Sequence, residues 1–240
     1  MPVEIEILDD PARACAAMLV GVAAGGGDIV LTGGSTPRAA YGELVEAVKT
    51  VGIDVSQSTM WFSDERCVPP DDERSNYAMV RAALLEPLGD LPSPTVHRMR
   101  GELGPREAAD EYEAELRAAG PPRFDVVLLG IGPDGHLASM FPDQESLSER
   151  SRLVVGVEQS GLEPYVPRVT LTFPALWSAR QIVFLATGES KAEAVAAAFG
   201  PHVKPDPHVP SSLLAPQAKE ITVLLDREAG KLVASSAGRA

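Results

Sequence analysis

Short apolar runs alternate along the chain with longer amphipathic ones. Five runs stand out: Asp28 to Thr32 (DIVLT), Thr59 to Ser63 (TMWFS), Asp125 to Leu129 (DVVLL), Gln181 to Ala186 (QIVFLA) and Ile221 to Leu225 (ITVLL). Each is short, apolar or β-branched, and bounded by turn residues, the pattern of strands buried on both faces. Between them the spacing predicts helices over Pro11 to Ala24 behind an Asp10 cap, Pro37 to Thr50 behind Thr36, Ser75 to Leu85, Pro105 to Ala119 and Ser190 to Phe199. Three of these carry proline early, where a helix tolerates it. Two weaker runs, Val154 to Val157 and Val169 to Thr172, read as antiparallel edge strands. Strand, loop and helix repeated in this order predict parallel βαβ units and a layered α/β fold, a mostly parallel sheet with helices on both faces. No repeat or linker interrupts the pattern, so residues 1–240 are expected to form a single domain. The proline-rich patch Pro201 to Pro210 is expected to be a surface loop near the ligand, and the tail SSAGRA to fray.

Composition narrows the function. A hydrophobic share of 45% and a charged share of 23% are ordinary for a globular protein. The formal charge of -13 argues against nucleic acid and anionic membranes as partners. If the ligand is an anion, a few basic residues must act against that global field. The two cysteines, Cys15 and Cys67, can form neither a disulfide framework nor a structural zinc site by themselves. The acidic start MPVEIEILDD lacks the core of a signal peptide, and no apolar run approaches a membrane span. A reduced, cytoplasmic protein is expected.

In layered α/β folds the ligand lies beyond the carboxyl ends of the strands, so the residues just after each strand matter most. After DIVLT comes Gly33-Gly34-Ser35-Thr36-Pro37 and then a helix. A plain turn needs one glycine. Two, followed by hydroxyl residues at a helix start, suit a phosphate held on backbone N–H groups, with Gly34 and Ser35 as contacts. After TMWFS comes Asp64-Glu65-Arg66. Three charges directly after a buried strand are costly unless paired or used, which nominates Asp64 and Arg66. Ser75, further on, reads as a helix cap.

After DVVLL comes Gly130-Ile131-Gly132-Pro133-Asp134-Gly135-His136. Formally this is a G-x-G-x-x-G dinucleotide fingerprint, but Pro133 to Gly135 disfavour the long helix that the fingerprint opens. The glycines instead set Asp134 and His136 at a strand end. Of the four histidines, His97, His202 and His208 read as surface; His136 is the candidate catalytic group. Arg168, opening a weak strand, and Lys191, at a helix start where the dipole disfavours it, complete a set of candidate anion contacts. No nucleophile elbow, H-E-x-x-H or P-loop occurs, and no pair of histidines has metal-ligand spacing.

Taken in order, LTGGSTP, FSDERCVP, SNY, LLGIGPDGHLASMFP, RVTLT and ATGESK resemble the 6-phosphogluconolactonase family over Leu31 to Lys191. The resemblance implies a Rossmann-like sheet and hydrolysis of 6-phospho-D-glucono-1,5-lactone, the second step of the oxidative pentose phosphate pathway. It implies neither cofactor nor metal. In the roles it implies, His136 activates water, Asp134 orients His136, and Gly34, Ser35, Asp64, Arg66, Arg168 and Lys191 bind substrate, Asp64 through sugar hydroxyls or by fixing Arg66. The related glucosamine-6-phosphate deaminases follow the Asp-Gly-His turn with a Phe-Asn-Glu-Pro type segment. Here Ala138-Ser139-Met140-Phe141-Pro142 stands in that place and brings no acid, which favours the lactonase. Leu137 and Met140 are mild variants within the lactonase pattern.

Overall fold

The structure is a computed structural model describing residues 3–120 and 123–237. Its elements run β1 (Val3–Ile7), α1 (Pro11–Ala24), β2 (Asp28–Leu31), α2 (Ser35–Val51), β3 (Thr59–Phe62), β4 (Asp64–Arg66), α3 (Asn76–Val80), α4 (Glu86–Leu88), β5 (Thr95–Val96), α5 (Pro105–Ala118), β6 (Val126–Leu129), β7 (Val154–Val157), β8 (Arg168–Leu171), α6 (Phe173–Trp177), β9 (Gln181–Ala186), α7 (Ala192–Phe199), β10 (Ile221–Leu225) and α8 (Arg227–Ala237). A π-helical turn, Arg81–Leu85, joins α3 to α4.

Seven strands form one sheet in the order β1-β10-β9-β6-β2-β3-β5, and every pairing in it is parallel. Strands β2, β6, β9 and β10 are almost wholly buried, which is why their sequences read as continuous apolar runs. Helices flank the sheet, α1 packing on α2 and α7 on α8. The chain leaves β2 toward β3 and β5, then returns on the other side of β2 as β6. The order of connection therefore reverses between β2 and β6, the switch point at which open α/β sheets bind ligands.

The antiparallel strands are placed differently from expectation. β7 and β8 do not edge the main sheet; they pair with β4 in a separate sheet of order β4-β8-β7. Ser63 carries the chain from one sheet to the other, its N–H on Leu31 O and its carbonyl accepting from Leu171 N. The Asp64-Glu65-Arg66 stretch is thus a short strand and not a loop.

Other boundaries also move. α2 begins at Ser35 with Gly34 as its cap, not at Pro37 behind Thr36, because Gly34 takes φ 110° and the Thr36 hydroxyl is spent on Thr187 at 2.9 Å. Asp10 and Ser75 cap as expected, accepting from Arg13 N at 3.0 Å and Ala78 N at 3.1 Å. Lys191 caps α7 after a 3-10 turn and lies outside the helix. No helix opens on Gly135: the chain turns until the 3-10 turn Glu145–Ser148, in line with the rejection of the dinucleotide reading. Of the tail expected to fray, Ser235 to Ala237 lie within α8, and Gly238 to Ala240 fall outside the described residues. Among the described residues no helix is long and apolar enough to cross a membrane.

Candidate active site

The loops after β2, β3, β6 and β9 meet in one cleft of about 260 Å³ at the switch point. Its lining includes Gly34, Ser35, Asp64, Arg66, His136, Arg168 and Lys191, so seven of the eight candidate residues face the same space. Asp134, the eighth, stands behind His136.

The β2 loop is held from below. Buried Tyr41, on α2, accepts from Thr32 N at 3.0 Å and donates to Thr32 O at 2.8 Å. This clamp fixes the two glycines above it and leaves the first-turn N–H groups of α2 facing the cleft with the positive end of the helix dipole. Gly33 must be glycine for a second reason: a Cβ there would collide with Asn76 Oδ1.

His136 sits at the end of the β6 loop with its side chain 16% exposed. Its Nδ1 lies 2.6 Å from Asp134 Oδ1, and its backbone N–H donates to the same oxygen at 3.2 Å. An ionised carboxylate only accepts, so the Nδ1–H tautomer is selected and Nε2 keeps a free lone pair. Burial works to raise the Asp134 carboxyl, but the bonds and charge of His136 outweigh it and hold the group below its usual range. Gly132 permits this geometry, since a Cβ there would strike the imidazole.

Asp64 is 5% exposed and accepts from Ser139 Oγ at 2.7 Å, Ser63 Oγ at 3.0 Å and Asn76 Nδ2 at 3.2 Å. No ion pair joins it to Arg66, so it does not fix that side chain directly; neutral donors hold it instead. Its neighbour Glu65 is 3% exposed and faces Asn76 N, Tyr77 N, Arg66 N and Ser75 Oγ. Burial pushes the Glu65 carboxyl up against these four donors. Glu65 therefore anchors the start of α3 and so presents Asn76 to the cleft.

The three cations differ. Arg66 Nη1 donates to Arg74 O at 2.5 Å. Arg168 Nη2 donates to Pro164 O at 3.0 Å and Leu162 O at 3.3 Å, so part of its guanidinium ties down the Leu162–Pro164 backbone. Burial lowers the Arg168 group, while Asp64 supports its charge and Arg66 opposes it. Lys191 Nζ donates to Ile131 O at 2.8 Å. Burial lowers its ammonium too, against the field of Asp134. Arg66 Nε, Arg168 Nε and Asn76 Oδ1 are buried without a partner among the described residues. Three such groups around one cleft leave hydrogen-bonding capacity unspent there.

Sequence reasoning passes over several contributors. Asn76 and Ser139 enter it only inside longer motifs, and their partners lie 12 and 75 residues away along the chain. His97 is not a surface residue as expected; it is half-buried, stacked on Trp61 at 4.0 Å and paired with Glu115. The Pro201 to Pro210 loop backs the site without lining it: Val209 lies against Gly135, and Ser211 N and Oγ donate to Gly135 O at 2.9 and 2.8 Å. Among the described residues no group of three or more His, Cys, Asp or Glu could hold a metal ion.

The chain is similar to known proteins over most of its length. The family profile described as glucosamine-6-phosphate isomerases/6-phosphogluconolactonase matches residues 8–223. Human 6-phosphogluconolactonase is 38% identical over 208 residues, 85% of this chain and 79% of that protein. The enzyme of the same name from Mycobacterium leprae is 42% identical over 182 residues, 72% of each chain. The solved structure of 6-phosphogluconolactonase from Trypanosoma brucei superposes with a TM-score of 0.81 at 28% identity, covering 97% of this chain and 99% of that one. With its profile match spanning nearly its whole length, the chain belongs to the glucosamine-6-phosphate isomerase/6-phosphogluconolactonase family.

Proposed function

We propose that this protein hydrolyses 6-phospho-D-glucono-1,5-lactone to 6-phospho-D-gluconate, the activity for which its relatives are named. The observation that carries the reading is the Asp134–His136 pair, 2.6 Å apart, with its imidazole facing a cleft that also holds a helix N-terminus and three cations. A δ-lactone is an activated ester, so one base and one water suffice. His136 Nε2 takes a proton from water as the oxygen attacks the lactone carbonyl. The imidazolium, stabilised by Asp134, returns a proton to the ring oxygen as the C–O bond breaks. No covalent intermediate is needed.

The 6-phosphate is assigned to Gly34 and Ser35 with Arg66, Arg168 and Lys191. Hydrogen bonds to charged groups contribute about 1.5–3 kcal/mol each, so a few of them hold a small anion despite the acidic surface. Asp64, kept in place by Ser139, Ser63 and Asn76, is assigned to sugar hydroxyls. The same reading treats residues 1–240 as one domain acting without a cofactor in the cytoplasm, with no nucleic-acid or membrane partner. A buried core that joins both sheets supports the single domain.

The test is hydrolysis of freshly prepared 6-phospho-D-glucono-1,5-lactone above the uncatalysed rate. The expected result is saturable turnover on that lactone and no ammonia from glucosamine 6-phosphate. Ammonia release without lactone hydrolysis would overturn the reading.

A further inference from the structure

Phe141 ends the turn that begins at His136. Its side chain is buried, 1% exposed, yet it does not join the contiguous hydrophobic core among the described residues. It packs against the site instead. Its ring centroid lies 4.6 Å from that of His136, inclined by 45°. The Arg168 guanidinium carbon stands 5.8 Å from the same centroid. The backbone of Gly161 closes over the ring: a Cβ added there would lie 3.0 Å from Phe141 Cγ and Cδ1.

The base on which this ring stands is fixed. Leu137 and Met140 form a bridge, with Met140 N on Leu137 O at 2.9 Å, and Ala138 takes φ 49° between them. Ser139 N donates to Thr170 Oγ1 at 3.2 Å, and Ser139 Oγ reaches Asp64. An aromatic face favours a cation within about 6 Å. Here one ring meets a permanent cation, Arg168, and a side chain that becomes cationic when it accepts the proton of water. A leucine would fill much of the space but would offer neither the flat face nor its quadrupole.

We infer that Phe141 is a positioning residue: its ring sets the plane of the His136 imidazole and seats the Arg168 guanidinium, tying the reacting end of the site to the phosphate end. The inference rests on the lactonase reading above. Asp134 fixes one edge of the imidazole, and Phe141 restrains rotation about that hydrogen bond.

Steady-state hydrolysis of 6-phospho-D-glucono-1,5-lactone by wild type, Phe141→Leu, Phe141→Tyr and Gly161→Ala tests it, with circular dichroism reporting folding. Misplacing a reacting group by about 1 Å can cost up to ~10²-fold. Phe141→Leu is therefore expected to lower kcat by about tenfold or more and to raise KM through Arg168. Phe141→Tyr keeps the ring and is expected to stay within about threefold of wild type in both. Gly161→Ala, in an exposed loop, presses on the ring without removing it and is expected to lower kcat by about threefold to tenfold. A folded Phe141→Leu with wild-type kcat would overturn the inference, as would a folded Phe141→Tyr as impaired as Phe141→Leu. Should Phe141→Leu fail to fold, unchanged kcat in Gly161→Ala would overturn it too. A wild-type protein inactive on the lactone would instead sink the functional reading.

Discussion

His136 and Asp134 close a hydrogen bond of 2.6 Å across one intervening glycine, and the backbone N–H of His136 reaches the same carboxylate oxygen. One loop therefore supplies both the proposed base and the carboxylate proposed to orient it. Replacing His136 with alanine is expected to lower kcat by about 10²–10⁴-fold with folding intact. Asp134→Asn keeps the shape but removes the charge that stabilises the imidazolium, and a loss of about 10–10³-fold is expected. Lactone opens unaided, so both rates are to be corrected for the uncatalysed reaction. A folded His136→Ala with near-normal turnover would remove the pair from the mechanism.

Glu149 offers a test of stability against pH. Its Oε1 accepts from three backbone N–H groups, Ser151 N at 2.6 Å, Arg150 N at 2.8 Å and Arg152 N at 3.0 Å, and from Ser151 Oγ at 2.7 Å. The N–H groups of Arg152 and Ser151 lead in pulling its carboxyl from 4.5 to about 2. A folded pKa below the unfolded one gives stability that is fully present above the unfolded value and lost as pH falls through the folded one. Glu149→Gln is expected to melt a few degrees below wild type at pH 7. That gap should close between about pH 4.5 and pH 2. A gap independent of pH would mean that the carboxylate charge contributes nothing.

The two cysteines should be unreactive in the native protein. Burial pushes both the Cys15 and the Cys67 thiol up to about 12, with Glu65 and Glu158 adding to the effect at Cys67. The thiolate is the nucleophile, so iodoacetamide at pH 8 is expected to leave both unlabelled by mass spectrometry and to label both after denaturation. Rapid native labelling of Cys67 would show that the loop after β4 opens.

Burial decides which elements are legible in the sequence. β2, β6, β9 and β10 are covered on both faces and appear as apolar runs. β1 escapes that pattern because VEIEI alternates with glutamate and is only half-buried at the sheet edge. β5 has just two residues. β4 reads as a loop because its charges are satisfied from far along the chain: Glu65 by Ser75 to Tyr77, Asp64 by Asn76 and Ser139. α8 is not among the helices that the spacing predicts; it carries Gly230 in its first turn, where a Cβ would press on Ile7 of β1 at 2.7 Å. In the site the loop glycines, Asp134 and His136 are legible because they lie within seven residues of one another after a strand. The ring of Phe141 meets Arg168 and Gly161 from far along the chain, and no local pattern reports such contacts.

Kinetics can separate the proposed phosphate contacts. At a formal charge of -13 the protein repels an anionic substrate at long range, so affinity must come from local groups. Arg66→Gln, Arg168→Gln and Lys191→Gln are each expected to raise KM for the phosphorylated lactone. Unphosphorylated glucono-1,5-lactone has no such charge, and its hydrolysis should change much less. The structure ranks the three. Arg168 also holds the carbonyls of Leu162 and Pro164 and stands over Phe141, so its loss should lower kcat as well as raise KM. Lys191 Nζ donates to Ile131 O in the loop that leads to His136, and an intermediate effect on kcat is expected. Arg66 is bonded to Arg74 O, away from the catalytic turn, and its loss should act mainly on KM. Inorganic phosphate should compete with substrate in wild type and more weakly in each variant. Equal losses on the two lactones would mean that these residues shape the sugar pocket or the fold. No loss on either would move the phosphate site elsewhere.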